Sequence, residues 1–246
     1  MDDLIPRERK NSVSDVLREA ISKGEDSVPE HPEPLVCKPT HIEPWRIFRI
    51  MSEFVEGFEL LRRYGLAATF FGTARCTLDS VVYQNTEELA ARLAKRGFAV
   101  ITGGSAGVMQ AANRGAYNAG GSSIGLMIRL PDEQTANTYL TDSVLFNHFF
   151  VRKVMLTFAS EVYIYMPGGF GTLDEFFEVV TLVQTKKIQR VPIILFDRSY
   201  WTPLLSFIED KLARELHTID EADMSLYMLV DTVDEAYDYI VANVKC

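Results

Sequence analysis

Short apolar runs alternate with helical segments through most of this 246-residue chain. The runs span residues 67–72, 98–102, 123–128, 162–166 and 191–196. Helical patterns cover residues 86–96, 108–119, 149–158, 173–185, 203–216 and 234–244. Strands of parallel sheets are buried on both faces and are joined by helices, so they appear as short apolar runs of this kind. The alternation predicts an α/β fold, a Rossmann-like, doubly wound and mainly parallel sheet flanked by helices.

The first part of the chain has a different character. Residues 1–40 are polar and charged, with prolines near their end, which predicts a flexible or partner-dependent arm. In residues 44–64 apolar side chains recur every three to four positions, which indicates an extra amphipathic helix that ends at Gly65. We expect this helix to pack on the sheet or on a second subunit. The predicted organisation is an arm over residues 1–40 and one Rossmann-like domain over residues 41–246.

The charge balance argues against two classes of partner. The chain has a formal net charge of -9 and a pI near 5.0, and it has no block rich in lysine or arginine. Nucleic acids and anionic membranes bind concentrated basic surfaces, so we expect neither as a partner. A small anion remains compatible with this composition, because a helix N-terminus can bind one whatever the net charge.

The cysteines indicate neither a disulfide scaffold nor a metal site. Cys37, Cys76 and Cys246 are odd in number and widely spaced, with no C-x-x-C pair and no histidine cluster near them. The first residues lack an apolar signal core, and no apolar run is long enough to span a bilayer. We therefore expect a cytoplasmic protein without a metal.

Three unusual loops follow predicted strands, and they define the expected site. They cover residues 71–75, 102–107 and 166–172. Ligands of open parallel sheets bind outside the carboxyl ends of the strands, where such loops meet. The shared edge of these loops is the predicted binding site.

The most informative of these loops leads directly into a helix. Gly168, Gly169 and Gly171 allow a ligand to approach the backbone, and the helix N-terminus that follows favours an anion such as a phosphate. Glu175 would then face the group attached to that phosphate. A simpler alternative is that Thr172 and Glu175 form a capping box that only starts the helix. The density of glycine favours the anion site, because a helix start does not require it.

The second glycine-rich turn is a weaker signal. Gly103, Gly104 and Gly107 also follow a strand and open a helix, so their amides are suited to binding a phosphate or a sugar hydroxyl. A tight turn for close packing explains them as well. The spacing is not G-x-G-x-x-G, and no acidic residue lies about 20 positions later, which argues against a nicotinamide dehydrogenase.

Arg152 and Lys153 lie in a mostly apolar segment, where two cations are costly unless they meet anions. Arg152 is suited to binding the phosphate or Glu175, although both side chains could equally extend to solvent. His148 has no acidic partner nearby in sequence and is interpreted as a packed or exposed residue. Gln134 and Asn137, in a long polar loop, have the groups to bind a base or ribose, but a solvated loop is the plainer interpretation.

Taken together, three motifs resemble those of the LOG family, the cytokinin riboside 5'-monophosphate phosphoribohydrolases. The similarity runs from about residue 67 to about residue 205. Its motifs are Gly103-Gly104-x-x-Gly107-x-Met109, Arg152-Lys153 and Pro167-Gly168-Gly169-x-Gly171-Thr172-x-x-Glu175. The resemblance implies a nucleotide-binding catalytic domain that hydrolyses the N-glycosidic bond of a nucleoside 5'-monophosphate, a role in cytokinin biosynthesis, and a homodimer or higher homo-oligomer.

By position, the resemblance also implies roles for individual residues. Arg152 and Glu175 correspond to the catalytic pair. Substrate contacts are implied for Gly103, Gly104, Gln134, Lys153, Gly168, Gly169, Phe170, Gly171, Thr172 and Thr181. No cofactor is expected, because the chain lacks a motif for a pyridoxal Schiff-base lysine, although relatives are often labelled lysine decarboxylases.

At two positions this chain differs from the shorter plant-like members. Together with the N-terminal arm and helix, these differences make it resemble the longer bacterial branch of the family. This chain has Phe150 where those members have a histidine, and Phe71-Gly72-Thr73 where they have a cysteine-glycine-serine turn. The preferred base, either an isopentenylated adenine, plain adenine or another, is left open by these departures.

The chemistry of glycosidic hydrolysis suggests how the catalytic pair would act. Positive charge develops on the sugar, so Glu175 is expected to stabilise it or activate water, with Arg152 keeping that carboxylate ionised. Glu178 shares the helix face of Glu175, and no residue stands out as the acid for the leaving base. The alternative function is a non-catalytic carrier of a nucleotide or phosphorylated cofactor.

Overall fold

The computed structural model describes residues 44–130 and 136–244. The proposed arm, Cys37, Cys246 and Gln134 lie outside these residues. Within them, seven strands form one sheet in the order β4-β3-β2-β1-β5-β6-β7, and every neighbouring pair is parallel. The predicted doubly wound α/β fold is therefore confirmed, and the sheet is wholly rather than mainly parallel.

The elements follow one another as strand and helix along the chain. The strands are β1 Ala67–Phe71, β2 Ala99–Thr102, β3 Ser123–Ile128, β4 Asp142–Phe146, β5 Val162–Tyr165, β6 Ile193–Phe196 and β7 Met228–Val230. The α-helices are α1 Arg46–Leu61, α2 Val81–Lys95, α3 Val108–Asn118, α4 Phe149–Thr157, α5 Phe170–Gln184, α6 Arg198–Phe207 and α7 Val233–Asn243. A π-helical segment, Ile208–Glu215, continues α6, and a 3₁₀ turn covers Glu221–Ser225.

Two strands at opposite edges of the sheet were not predicted. In β4, Val144 and Phe146 are buried while Ser143 and Leu145 are exposed, so this strand alternates instead of forming an apolar run. β7 has three residues, which is too short for a periodic signal. The five predicted strands are central or lie beside central ones, where burial on both faces produces the continuous apolar pattern.

Several helices begin earlier than the apolar pattern indicates. α2 starts at Val81, because the Ser80 side chain accepts a hydrogen bond from the Tyr83 amide and caps it. α5 starts at Phe170 with Gly169 as its N-cap, so Thr172 lies inside the first turn and is not the cap. The capping-box alternative for Thr172 and Glu175 is therefore wrong.

The sheet separates two hydrophobic layers. Along β1, Ala67 and Phe71 face the layer formed with α1, α4, α5 and α6, whereas Ala68 and Phe70 face the layer formed with α2, α3 and α7. This alternation follows from the two-residue period of a strand. Among the described residues, no helix is both long and apolar enough to cross a bilayer.

The packing of α2 against α3 depends on Gly115. A Cβ at this position would lie 2.1 Å from the Glu87 carbonyl oxygen, a backbone atom that cannot rotate away. We predict that Gly115→Ala forces the two helices apart and lowers the free energy of unfolding by about 1–3 kcal/mol. Urea denaturation would measure this.

The matched control is Gly65→Ala, because a Cβ there meets no atom within 4 Å. Its free energy of unfolding should stay within about 0.5 kcal/mol of wild type. An equal loss in both variants would contradict the packing explanation.

Candidate functional site

Backbone hydrogen bonds join the three predicted loops at the carboxyl edge of the sheet. The Thr73 amide donates to the Pro167 carbonyl at 2.9 Å, and the Val108 amide donates to the Thr73 carbonyl at 2.9 Å. The loop after β1 is thereby fixed to both glycine-rich turns. It lies between β2 and β5, where the strand order reverses and ligands of such sheets bind.

Two glycines permit this close approach. Gly107 has φ +67°, and a Cβ there would lie 2.3 Å from the Thr73 carbonyl oxygen. A Cβ on Gly168 would lie 2.1 Å from the Thr172 Oγ1 and 3.1 Å from the Gly72 carbonyl carbon. Packing between the loops therefore requires Gly107, whereas Gly168 is required mainly by the close approach of Thr172 in the first turn of α5.

The joined loops border a cavity of about 820 Å³. It is lined by Phe70, Phe71, Gly72, Thr73, Ala74, Arg75, Gly103, Met109, Ile128, Leu130, Phe149, Arg152, Leu156, Pro167, Gly168, Gly169, Phe170, Gly171, Thr172, Glu175 and Tyr200. Most of these side chains are apolar, with two cations and one carboxylate among them. Such a surface suits a ligand that has an apolar part and an anionic part.

The N-terminus of α5 forms one wall of the cavity. Gly169 is the N-cap and, having no side chain, leaves the first amides of the helix without a side-chain acceptor. A Cβ on Gly169 or Gly171 would meet no atom within 4 Å, so no packing within the described chain explains these two glycines. Their amides and the positive end of the helix dipole favour a bound anion here.

Glu175 lies one turn into α5 and is 4% exposed. Its Oε2 is buried and has no hydrogen-bond partner among the described residues. Burial raises the pKa of Glu175 to about 7, although Lys153 and, to a smaller extent, Arg152 favour the charged form. Arg152 thus favours the ionised form of Glu175 in the expected direction, but burial has the larger effect on this pKa.

Arg152 reaches the cavity from α4. Its guanidinium carbon lies 5.0 Å from the centre of the Phe149 ring, and its Nη1 is 3.2 Å from where a Cβ on Gly103 would be. Its Nε is buried without a partner among the described residues, and burial lowers its pKa despite the opposing charge of Glu175. A half-buried arginine and a buried carboxylate thus face the same space, each with a polar atom that has no partner among the described residues.

Lys153 points elsewhere. Its Nζ forms ion pairs with Asp174 at 2.6 Å and with Glu178 at 3.2 Å, and it is absent from the cavity wall. Thr181, exposed on the outer part of α5, does not line the cavity either. Substrate contacts by these two residues therefore stay predictions without a place in the observed cavity.

The Gly103 turn is held by a buried polar network. Thr102 Oγ1 donates to Asn113 Oδ1 at 2.6 Å and accepts from the Gly104 amide at 2.9 Å. Asn137 Nδ2 donates to the Ser105 carbonyl and to Asn113 Oδ1, both at 3.0 Å. The amide of Asn137 is therefore engaged in fixing the turn, and the suggestion that it reads a base or ribose is wrong. Gly104 lies behind the wall, whereas Gly103 is part of it.

Tyr200 is a cavity residue that the sequence did not reveal. Its hydroxyl donates to the Gly168 carbonyl at 2.7 Å, which fixes the orientation of the peptide before Gly169. α6, which carries it, begins at Arg198, before the predicted start at residue 203. No motif surrounds this tyrosine, so only the fold brings it to the cavity.

His148 is buried, as the packed interpretation predicted, and it does have an acidic partner. Its Nδ1 lies 2.9 Å from Glu53 Oε1, and Glu53 is 95 positions away in the sequence. Among the described residues, no group of three or more histidine, cysteine, aspartate or glutamate side chains is placed to hold a metal ion.

The burial of Glu175 predicts a pH-dependent stability. Its pKa is about 7 in the folded protein and 4.5 in an ordinary environment, so the folded state binds the extra proton between these pH values. The contribution of Glu175 to stability should fall as the pH rises from 4.5 to 7, and Glu175→Gln should lack this contribution. We predict that the unfolding free energy of the variant, relative to wild type, increases by roughly 2–3 kcal/mol over this range.

Denaturant unfolding at a series of pH values would measure this difference. Glu56→Gln, at an exposed position of α1, is the matched control and should show no such trend. A difference between Glu175→Gln and wild type that does not change with pH would contradict the assignment.

Comparisons with known proteins identify relatives of this chain. A family model described as "Possible lysine decarboxylase" matches residues 109–240, more than half of the chain. The cytokinin riboside 5'-monophosphate phosphoribohydrolase of Rhodococcoides fascians is 30% identical over 51% of this chain and 65% of its own length. A probable enzyme of the same name from rice, LOGL5, is 33% identical over 52% of each chain. The chain thus spans between half and two thirds of these two relatives.

Solved structures share the fold. TM1055, a structural genomics target, is 27% identical with a TM-score of 0.55, covering 72% of this chain and 99% of its own. The molybdenum cofactor carrier protein of Chlamydomonas reinhardtii is 21% identical with a TM-score of 0.53, over 72% of this chain and 99% of its own. At that identity, the second similarity concerns the fold alone.

Proposed function

This chain belongs to the LOG family, and from that membership we propose that it is a hydrolase cleaving the N-glycosidic bond of a nucleoside 5'-monophosphate. The products would be a free base and ribose 5-phosphate. The observation that carries the proposal is that half-buried Arg152 and buried Glu175, each with a buried polar atom that has no partner among the described residues, border one cavity with the N-terminus of α5.

The α5 N-terminus is the proposed phosphate site. The amides after Gly169 and the open space over Gly169 and Gly171 support this, together with the absence of an acidic residue in the first turn of the helix. Phe170, 93% exposed, lies at the mouth of the cavity. A phosphate held here would fix the ribose relative to Glu175, so remote binding energy would orient the reacting carbon.

The proposed reaction is displacement of the base by water. A water oxygen bonds to C1' of the ribose, the C1'–N bond breaks, and its electron pair leaves with the base. Ionised Glu175 accepts the proton of the water and stabilises the positive charge that develops on the sugar. In this scheme the base gains its proton from solvent, and no described side chain of the cavity is assigned as its acid. Arg152 would contact the ribose or the phosphate and favour the ionised form of Glu175.

The apolar part of the cavity would receive the base. Met109, Ile128, Leu130, Phe149 and Leu156 contribute to it. These side chains support a purine with or without an apolar substituent, so both AMP and an isopentenylated nucleotide are candidate substrates. If the isopentenylated nucleotide is the substrate, the proposed biological role of the protein is in cytokinin biosynthesis.

The direct test is chromatography of reactions with AMP and, separately, N6-isopentenyladenosine 5'-monophosphate. We expect wild type to release base and ribose 5-phosphate from at least one of them, and Glu175→Gln to be slower by at least about 100-fold. Adenosine, which lacks the phosphate, should react more slowly than AMP. Glu56→Gln should retain wild-type rates.

Two results would contradict the proposal. If Glu175→Gln hydrolyses the nucleotide at the wild-type rate, Glu175 is not the catalytic carboxylate. Folded wild-type protein that copurifies with an unconsumed nucleotide and cleaves none would favour the carrier function instead.

We further propose that the protein forms a homo-oligomer in the cytoplasm. α1 and α4, together with the residues that cap them, expose a set of large apolar side chains: Trp45, Ile47, Phe48, Met51, Val55, Phe58, Phe149, Phe150 and Phe158. Such a surface favours a partner, and its position on two adjacent helices suits a second copy of the same chain. Cell fractionation would test the compartment.

Light scattering after size-exclusion chromatography would test the oligomer. We expect wild type to have at least twice the mass of one chain and Val55→Glu to shift toward the monomer, because a charge would be buried at the interface. Glu59→Gln on the same helix should leave the mass unchanged. A wild-type monomer at all accessible concentrations would overturn the proposal.

A further inference from the structure

The buried carboxylate of Glu53 on α1 binds the turn that leads from β4 into α4. Glu53 is 4% exposed, and each of its oxygens accepts two hydrogen bonds. Oε2 accepts from the amides of Asn147 and His148, both at 3.1 Å. Oε1 accepts from Asn147 Nδ2 at 3.0 Å and from His148 Nδ1 at 2.9 Å. One side chain thus satisfies four donors of a two-residue turn.

Glu53 is held ionised by these contacts. Burial raises its pKa, but the hydrogen bonds from Asn147 and His148 outweigh burial and lower the pKa overall. His148 Nε2 accepts from Arg46 Nε at 3.2 Å, so the proton of this ring lies on Nδ1, facing Glu53. The tautomer of His148 is therefore set by two residues of α1.

A second contact fixes α1 to α4 one helical turn further along. A Cβ on Gly57 would lie 2.6 Å from the Met155 Sδ, so the two helices approach closely at this point. The pair of contacts, at Glu53 and at Gly57, restricts both the start and the middle of α4. Displacement of α4 relative to α1 would disturb both contacts.

Arg152 depends on this placement of α4. Its amide donates to the His148 carbonyl at 3.3 Å, so it lies one turn from the residue that Glu53 holds. Its guanidinium makes no ion pair among the described residues and is otherwise supported by the Phe149 ring, which belongs to the same helix. Since no other described element forms an ion pair or hydrogen bond with the guanidinium, the position of α4 largely sets where it lies, and Glu175 acts on it only through its charge.

We propose that Glu53 is a positioning residue that places Arg152 at the site, by anchoring the first turn of α4 through Asn147 and His148. This inference rests on the proposed function for its kinetic consequences. It gives the first helix a role in the reaction, although that helix contributes no side chain to the cavity.

Glu53→Gln is the direct test. The glutamine keeps the volume but offers one acceptor oxygen and places an NH₂ group against donors, so at least two of the four hydrogen bonds are lost. We expect kcat/KM for the nucleotide to fall by about 10- to 100-fold, because a displacement of about 1 Å is enough for such a loss. Glu56→Gln, exposed on the same helix, should retain wild-type kinetics.

A pH profile separates positioning from a general loss of structure. Arg152 favours the ionised form of Glu175, whose pKa also responds to Lys153, Asp174 and Glu178. Displacing Arg152 should therefore move the acid limb of the kcat/KM profile to higher pH. Leu60 is buried in α1 away from the turn, so Leu60→Ala should lower stability. It should reduce kcat/KM by the same factor at every pH and leave the acid limb at its wild-type pH.

A double-mutant cycle gives the second criterion. In an Arg152→Gln background, Glu53→Gln should reduce kcat/KM by less than about 2-fold, because the residue through which it acts is absent. Independent losses that multiply, together with an acid limb at its wild-type position, would overturn the inference.

Failure of the proposed function would be distinguishable from failure of this inference. If wild type cleaves no nucleotide, amide hydrogen exchange decides. Faster exchange along 147–152 in Glu53→Gln than in Leu60→Ala supports the anchoring of α4 by Glu53. Equal protection in the two variants overturns it.

Discussion

The site depends on two backbone hydrogen bonds made by one residue. Through its amide and its carbonyl, Thr73 joins the loop after β1 to Pro167 on one side and to Val108 on the other. The strands that deliver these loops are adjacent in the sheet, and the strand order reverses between them. Parallel pairing brings their carboxyl ends to one edge, and the two hydrogen bonds then fix the loops relative to each other. Gly107 is required because a side chain there would occupy the space of the loop after β1, and Gly168 because a side chain there would overlap Thr172.

Burial of charge gives the site its chemical character. Glu175 and Arg152 are both desolvated. Burial raises the pKa of Glu175 and lowers that of Arg152, and both shifts favour the neutral form of the group. This arrangement costs stability, because neither polar group has a full set of partners within the described chain. It also leaves the two groups able to respond to a charged ligand, with Glu175 changing protonation near neutral pH. Lys153, paired with Asp174 and Glu178, acts on Glu175 through its charge rather than through the cavity.

Two tetrapeptides show why local sequence could not identify the helix start. Thr172 to Glu175 and Thr232 to Glu235 both follow the pattern T-x-D-E. At Thr232 the capping box forms, and its side chain accepts from the Glu235 amide at 3.2 Å. At Thr172 it does not, because Gly169 already serves as the N-cap three residues earlier. The same pattern thus forms a helix cap at the surface at Thr232, whereas at Thr172 it places a buried carboxylate beside the cavity. The difference is caused by the backbone that precedes each pattern.

The sequence by itself determined the parallel α/β sheet, the edge at which the loops meet, and the glycine-rich turn with Glu175 behind it. These features follow from local periodicity and from glycine, whose effects act within a few residues. Tertiary structure decided the rest: the edge strand β4, the contact of Tyr200 with Gly168, the engagement of Asn137 in the turn at Gly104, and the binding of Glu53 to His148. It also decided that Glu175 is protonated more readily than an exposed glutamate. Each of these depends on groups far apart in the chain, and the free energy of a buried polar group is set by the atoms that surround it after folding rather than by its neighbours in sequence.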